Sequence, residues 1–223
     1  QKSPQKLRFP AMKCLNQLDI HTDSGYRRMT ETEDEKGYGM RGLCMIRRGQ
    51  PLQVKRVPET ARNTNCVHLL DSICKSHRLV VRSSYGAEML GAAHGFDDAF
   101  PTIITLAEVK FGVLTPEHLR DLREKSNFPI QVSLTIDAES VYKSLTSRDL
   151  KTPAEKTLLG HVAWIREMVS NGCITSVQWC DTRDMTADGH TKGCIDRKLL
   201  LQLMNGQQQY LHAIKSHCPY KSS

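Results

Sequence analysis

Two segments of this chain alternate apolar and polar residues, and each ends on a carboxylate. In "QLDIHTDSG", Gln17 to Gly25, Leu18, Ile20 and Thr22 share one side while Asp19, His21 and Asp23 share the other. In "LTIDAESVY", Leu134 and Ile136 alternate with Thr135 and Asp137, and then Ala138, Glu139, Ser140 and Val141 suit the start of a helix. The period of two predicts strands with one buried face. Open α/β sheets tend to hold their chemistry at the carboxyl ends of strands, so Asp23 and Asp137 direct attention to other acids that the fold could bring beside them.

The remaining elements follow from periodicity and punctuation. Tyr38 to Arg47 reads as a second strand between Gly37 and Gly49, and "PLQVKRVPETARNTN" as a loop carrying Lys55, Arg56 and Arg62. "CVHLLDSICKSHRLVVRSS" supplies a third strand with ill-defined ends. From Ser84 the spacing turns helical through Met89, Leu90, Ala93, Phe96 and Ala99, with Ser83 or Ser84 as N-cap and Glu88 near the first turn, and the pattern continues past Pro101. Thr115 caps a further helix with Pro116 in its first turn. Pro153 to Gly172 is amphipathic along Leu158, His161, Val162, Ile165, Met168 and Val169, Ile174 to Trp179 is a last strand, and "CIDRKLLLQLMNG" a final helix. Segment 13–210 is thus expected to be one domain with a helical insertion at 100–127. Segments 1–12 and 211–223 are expected to be polar ends of a piece cut from a longer polypeptide.

Composition adds bounds. Lys and Arg number 31 against 24 Asp and Glu, a net charge of +7 that favours an anionic partner such as nucleic acid. The eight cysteines form no CxxC pair and read as reduced packing thiols of an intracellular protein. Cys66, Cys74 and His77, with His190 and Cys194 beyond, approach zinc spacing without its paired-ligand pattern. No stretch reaches the roughly 18 to 20 apolar residues that a membrane helix needs.

Acids recur where elements meet: Asp23, Glu88, Asp137 and Asp188. Clustered carboxylates repel unless cations neutralise them, and hard oxygen ligands select Mg²⁺ or Mn²⁺. Two such ions can clamp a phosphodiester for in-line hydrolysis.

These residues carry a resemblance. "LDIHTDSGYRR" with "KGYGMRGLCMIRRG" is similar to the first hairpin of the ribonuclease H fold, and "TIDAESVYKSL" to its fourth strand and following helix. "VVRSSYGAEMLGAAHG" and "MTADGHTKG" resemble the SS-x-x-AE and AD-x-x-TK segments of Copia-type retrotransposon polyproteins. The resemblance runs from about Leu18 to Leu203. It implies an α/β, ribonuclease H-like fold with a mixed five-stranded central sheet flanked by helices, and an endonuclease that cleaves the RNA strand of RNA–DNA hybrids with two Mg²⁺ ions, or Mn²⁺. The family's acidic quartet falls on Asp23, Glu88, Asp137 and Asp188. Asp23 would bridge both ions, Asp188 would hold the ion that activates water, and Glu88 with Asp137 the ion at the leaving 3′-oxygen. The implied partners are the hybrid and a reverse transcriptase domain of the same polyprotein, in a cytoplasmic particle or the nucleus.

The chain departs from the family in places. Copia-type members usually have Asp-Asn where this chain has Asp137-Ala138, and Asp-x-Asp-Trp where it has Asp23-Ser24-Gly25-Tyr26. The histidine that cellular ribonucleases H carry before the last acid is missing from "CDTRDMTAD", and His190 is a weak substitute. Other readings stay open. Asp137 and Asp188 suit helix caps, Glu88 suits a helix dipole, and Asp23 suits an exposed turn. Trp164 and Trp179 suit a core or a base-stacking platform. Arg27, Arg28, Arg47, Arg48, Lys55 and Arg56 form either a solvated face or a phosphate track. A catalytically inactive connector domain, or a transposase or integrase of the same fold acting on DNA, would present the same acids.

Overall fold

The computed structural model describes residues 6–26, 39–51, 64–77, 79–124, 129–192 and 196–219. The chain runs β1 (Met12–Gly25), β2 (Met40–Pro51), β3 (Thr64–Ser76), α1 (Ser84–Phe111), α2 (Pro116–Glu124), β4 (Gln131–Ile136) and α3 (Glu139–Thr146). A 3₁₀ turn (Lys156–Leu158) then leads into α4 (Leu159–Ser170) and β5 (Ser176–Cys180), and a second (Thr182–Asp184) into α5 (Asp188–Thr191). The chain finishes with α6 (Lys198–Met204), β6 (Gln207–Gln209) and β7 (Ile214–His217).

One mixed sheet orders these strands β6-β3-β2-β1-β4-β5-β7. β1, β2 and β3 form an antiparallel meander, and β4 and β5 lie parallel to β1. The sheet therefore has seven strands where five were expected. The additional pair comes from segments too short and polar to announce themselves: β6 is Gln-Gln-Gln on the β3 edge, and β7 pairs with β5 from within the segment expected to be a tail. Backbone hydrogen bonding at a free sheet edge needs no apolar pattern, so such strands leave little trace in sequence.

The period-two alternation sorts the sheet's two faces. Leu18 and Ile20 of β1 join Leu43, Met45, Val132, Leu134 and Ile136 in the main core, beneath Phe96 and Ile103 of α1, Val141 of α3 and Ile165 of α4. Each large side chain buried there stabilises the fold by roughly 1.5–3 kcal/mol. The opposite face is covered by α5, α6 and the strand-bearing segment after them, where Cys44, Ile46, Val67, Leu69 and Leu203 form a smaller apolar cluster. Helix α1 starts at Ser83, whose hydroxyl accepts from the Gly86 amide at 3.0 Å, and runs unbroken through Pro101. Trp164 is partly buried and packs against the core, its ring centroid 5.6 Å from that of Phe96.

Between β1 and α5–β6 the sheet is polar and buried. Asp19 pairs with Arg48, whose guanidinium also donates to the Tyr210 hydroxyl at 3.1 Å and lies over its ring. His21 is fully buried, with Nδ1 3.0 Å from Thr186 Oγ1 and Nε2 2.9 Å from Tyr210 Oη. Burial, aided by the Arg48 charge, pushes the His21 pKa down to about 3, so it is neutral at any physiological pH.

Candidate metal centre

Asp23 lies near the end of β1, 1% exposed, and Asp137 follows β4 immediately, so the parallel β1–β4 pairing sets the two acids side by side. Glu88 comes from α1. It reaches them because Gly91 seats the helix directly on β1, where a Cβ would collide with the Ser24 hydroxyl. One carboxylate oxygen each from Asp23, Glu88 and Asp137 lies within 4.8 Å of the others, and among the described residues no other group of His, Cys, Asp or Glu converges in this way.

Asp188 opens α5, and a second glycine places it. Gly42 of β2 stands opposite Asp23, and a Cβ there would lie 2.8 Å from the Ala187 carbonyl oxygen. The absence of a side chain lets α5 lie against the sheet beside Asp23. From α5 the Thr191 hydroxyl donates to Asp23 Oδ2, and Lys192 Nζ lies 2.7 Å from Asp188 Oδ1 and 3.8 Å from Asp23 Oδ1. Asp188 is thus drawn toward Asp23 through a lysine, while the other three acids meet directly.

Electrostatics follow from crowding without a counter-ion. Burial, with repulsion from Asp23 and Asp137, pushes the Glu88 pKa up to about 9 despite a hydrogen bond from the Ser24 backbone amide. Asp137 is raised by burial and by Asp23. Asp188 is raised to about 7 by burial, with Asp23 and Asp137 adding to the effect and Lys192 opposing it. Burial works against the Lys192 ammonium, but its bond to Asp188 and the neighbouring carboxylates outweigh that and raise its pKa.

Helix capping does not account for these acids. Ala138 caps α3 and Ala187 caps α5, both without a side-chain hydrogen bond, and the first turn of α1 has no acid. Asp23 is buried in a strand and not exposed in a turn. Its Oδ1 is buried without a hydrogen-bond partner among the described residues, as expected of an atom placed for a cation. A hard divalent ion such as Mg²⁺ or Mn²⁺ fits this all-oxygen donor set.

The basic residues fare differently. Arg27, Arg28, Lys55 and Arg56 lie outside the described residues. Arg47 and Arg48 are consecutive on β2 and so point to opposite faces, and Arg48 is committed to Asp19 and Tyr210. His190 sits over Gly42, its Nε2 buried without a partner among the described residues.

Sequence reasoning overlooked three contributors. Lys192 had a signal, standing four residues after Asp188 at the helical pairing distance. Thr191 precedes it in the quoted "TADGHTKG". Trp179 suits a core or a stacking platform by sequence alone, yet its indole N–H donates to the Asp137 backbone carbonyl at 2.7 Å.

No protein-family model matches the sequence, and no curated protein matches it. Among solved structures the chain is similar to the N-terminal RNase H domain of a Mycobacterium tuberculosis protein, solved as a fusion with maltose-binding protein. The identity is 15%, over 78% of this chain and 90% of that one, with a TM-score of 0.41. At that distance the similarity says nothing about activity, and the functional reading rests on the acids. The sheet is mixed and carries helices on both faces, in keeping with the expected α/β class.

Proposed function

We propose that this protein is a metal-dependent endonuclease that hydrolyses the RNA strand of RNA–DNA hybrids, and that it works beside a reverse transcriptase domain of a Copia-type polyprotein. The observation that carries the nuclease reading is the meeting of Asp23, Glu88 and Asp137 within 4.8 Å at the sheet end, with Asp188 one lysine away. The hybrid specificity and the polyprotein setting rest on the sequence resemblance.

Asp23, Glu88 and Asp137 would hold one divalent ion, and Asp23 with Asp188 a second. Bound there, the ions supply charge neutralisation, polarisation of the scissile phosphate and a more acidic attacking water. The chain's own contribution is positioning. Trp179 holds the Asp137 backbone, Ser24 donates its amide to Glu88, and Thr191 orients Asp23. Discrimination of RNA would come from contacts to the 2′-hydroxyls of the strand lying against the acids.

The test incubates the wild type and Asp137→Asn with a labelled RNA–DNA hybrid in Mg²⁺, in Mn²⁺ and in chelator, with duplex DNA alongside. Hybrid cleavage by the wild type in either metal, lost in chelator and in the variant, is the expected result. Cleavage of duplex DNA with no preference for the hybrid would indicate a transposase-type activity. A folded wild type inert in both metals would indicate an inactive connector.

A further inference from the structure

The four acids divide unequally. Three carboxylates converge directly, and the fourth, Asp188, is held at 2.7 Å by the Lys192 ammonium, which also stands 3.8 Å from Asp23 Oδ1. Lys192 therefore lies between the two acids that would share the second ion, and among the described residues it forms no ion pair with Glu88 or Asp137.

We propose that the Lys192 ammonium takes the place of the second cation in the substrate-free protein, which then binds a single divalent ion at Asp23, Glu88 and Asp137. This rests on the metal-site reading above.

Charge and geometry support it. Asp23 and Asp188 are both buried, and without a cation between them two desolvated carboxylates would repel. An ammonium on a flexible four-carbon stem is a compact point charge that can fill such a gap and still withdraw. Lys192 has room to do so, since its side chain is 37% exposed whereas that of Asp188 is 9% exposed. The helical i,i+4 spacing supplies the ammonium from the same short segment that delivers Asp188, so acid and counter-ion arrive together. A second divalent ion must displace the ammonium, and an incoming phosphodiester would favour that exchange by adding negative charge at the same point.

The measurement is Mn²⁺ stoichiometry without nucleic acid, by calorimetry and by electron paramagnetic resonance of unbound Mn²⁺. The full chain is compared with Lys192→Met and with Lys192→Met/Asp188→Asn, each checked for folding by circular dichroism. One ion per chain in the wild type, two in Lys192→Met and one again in the double variant is the expected pattern. Two ions in the wild type, or one in a folded Lys192→Met, would overturn the inference and leave the metal-site reading standing. No ion in the wild type would instead remove that reading itself. If Lys192→Met does not fold, anomalous scattering from a wild-type crystal soaked in Mn²⁺ decides. One peak among Asp23, Glu88 and Asp137, with Lys192 still on Asp188, is expected, and a peak between Asp23 and Asp188 overturns it.

Discussion

The Trp179 indole N–H donates to the backbone carbonyl of Asp137 at 2.7 Å, tying the end of β5 to the turn that carries a candidate metal ligand. The Lys215 ammonium lies over the same ring, 4.5 Å from its centroid. Trp179→Phe retains the ring and removes the donor, leaving a carbonyl unpaired at a cost of about 1–3 kcal/mol. A lower melting temperature is expected, together with a larger proportional loss of hybrid cleavage than of hybrid binding. Unchanged cleavage would show that the bond serves stability alone.

Glu88 gives a pH prediction. Its carboxyl has a folded pKa near 9 against an ordinary 4.5, so the folded protein binds more protons than the unfolded chain between those values. The stability associated with protonated Glu88 is full below about pH 4.5 and is lost as the pH rises through about 9. Glu88→Gln removes the titration, so in chelator its stability advantage over the wild type should widen from about pH 5 to about pH 9. Chemical denaturation at several pH values measures that difference directly. The comparison cancels His21 and His77, whose depressed pKa values act in the opposite direction at acid pH. Saturating Mg²⁺ should reverse the order, because the wild type alone keeps the full ligand set.

Arg48 should prove structural. Arg48→Met takes the neutralising charge away from a fully buried Asp19, a loss of about 3–5 kcal/mol, while Asp19→Asn/Arg48→Met should recover much of it. Denaturation midpoints of the two variants test this. The double variant should also keep the salt dependence of hybrid binding, since the Arg48 charge is spent within the fold. A salt slope reduced by about one would return Arg48 to the phosphate track.

Gly91 tests how Glu88 reaches the sheet. In Gly91→Ala the new methyl meets the Ser24 hydroxyl, and lifting α1 should cost about 1–3 kcal/mol and weaken Mn²⁺ binding. Adding Ser24→Ala removes the obstructing atom and should restore part of both. Calorimetric titration of the two proteins measures the recovery.

What the sequence determined by itself was the set of local periods and the chemistry they carry. β1, β4 and the helix opening at Ser83 were legible because each repeats its pattern over several residues, and Asp23 and Asp137 stood out as candidates because they fall where strand patterns end. Tertiary structure decided everything that depends on two segments meeting. Whether Arg48 faces solvent or Asp19 is a matter of which strand face is covered, and the cover comes from Tyr210, more than a hundred residues away. β6 and β7 formed because backbone groups at a sheet edge take any partner of suitable shape, so neither required an apolar pattern. Gly42 and Gly91 looked like ordinary small residues until α5 and α1 were laid against them. Lys192 sits between Asp188 and Asp23 for the same reason: i,i+4 spacing supplies the first contact, but only the close packing of α5 on Gly42 supplies the second.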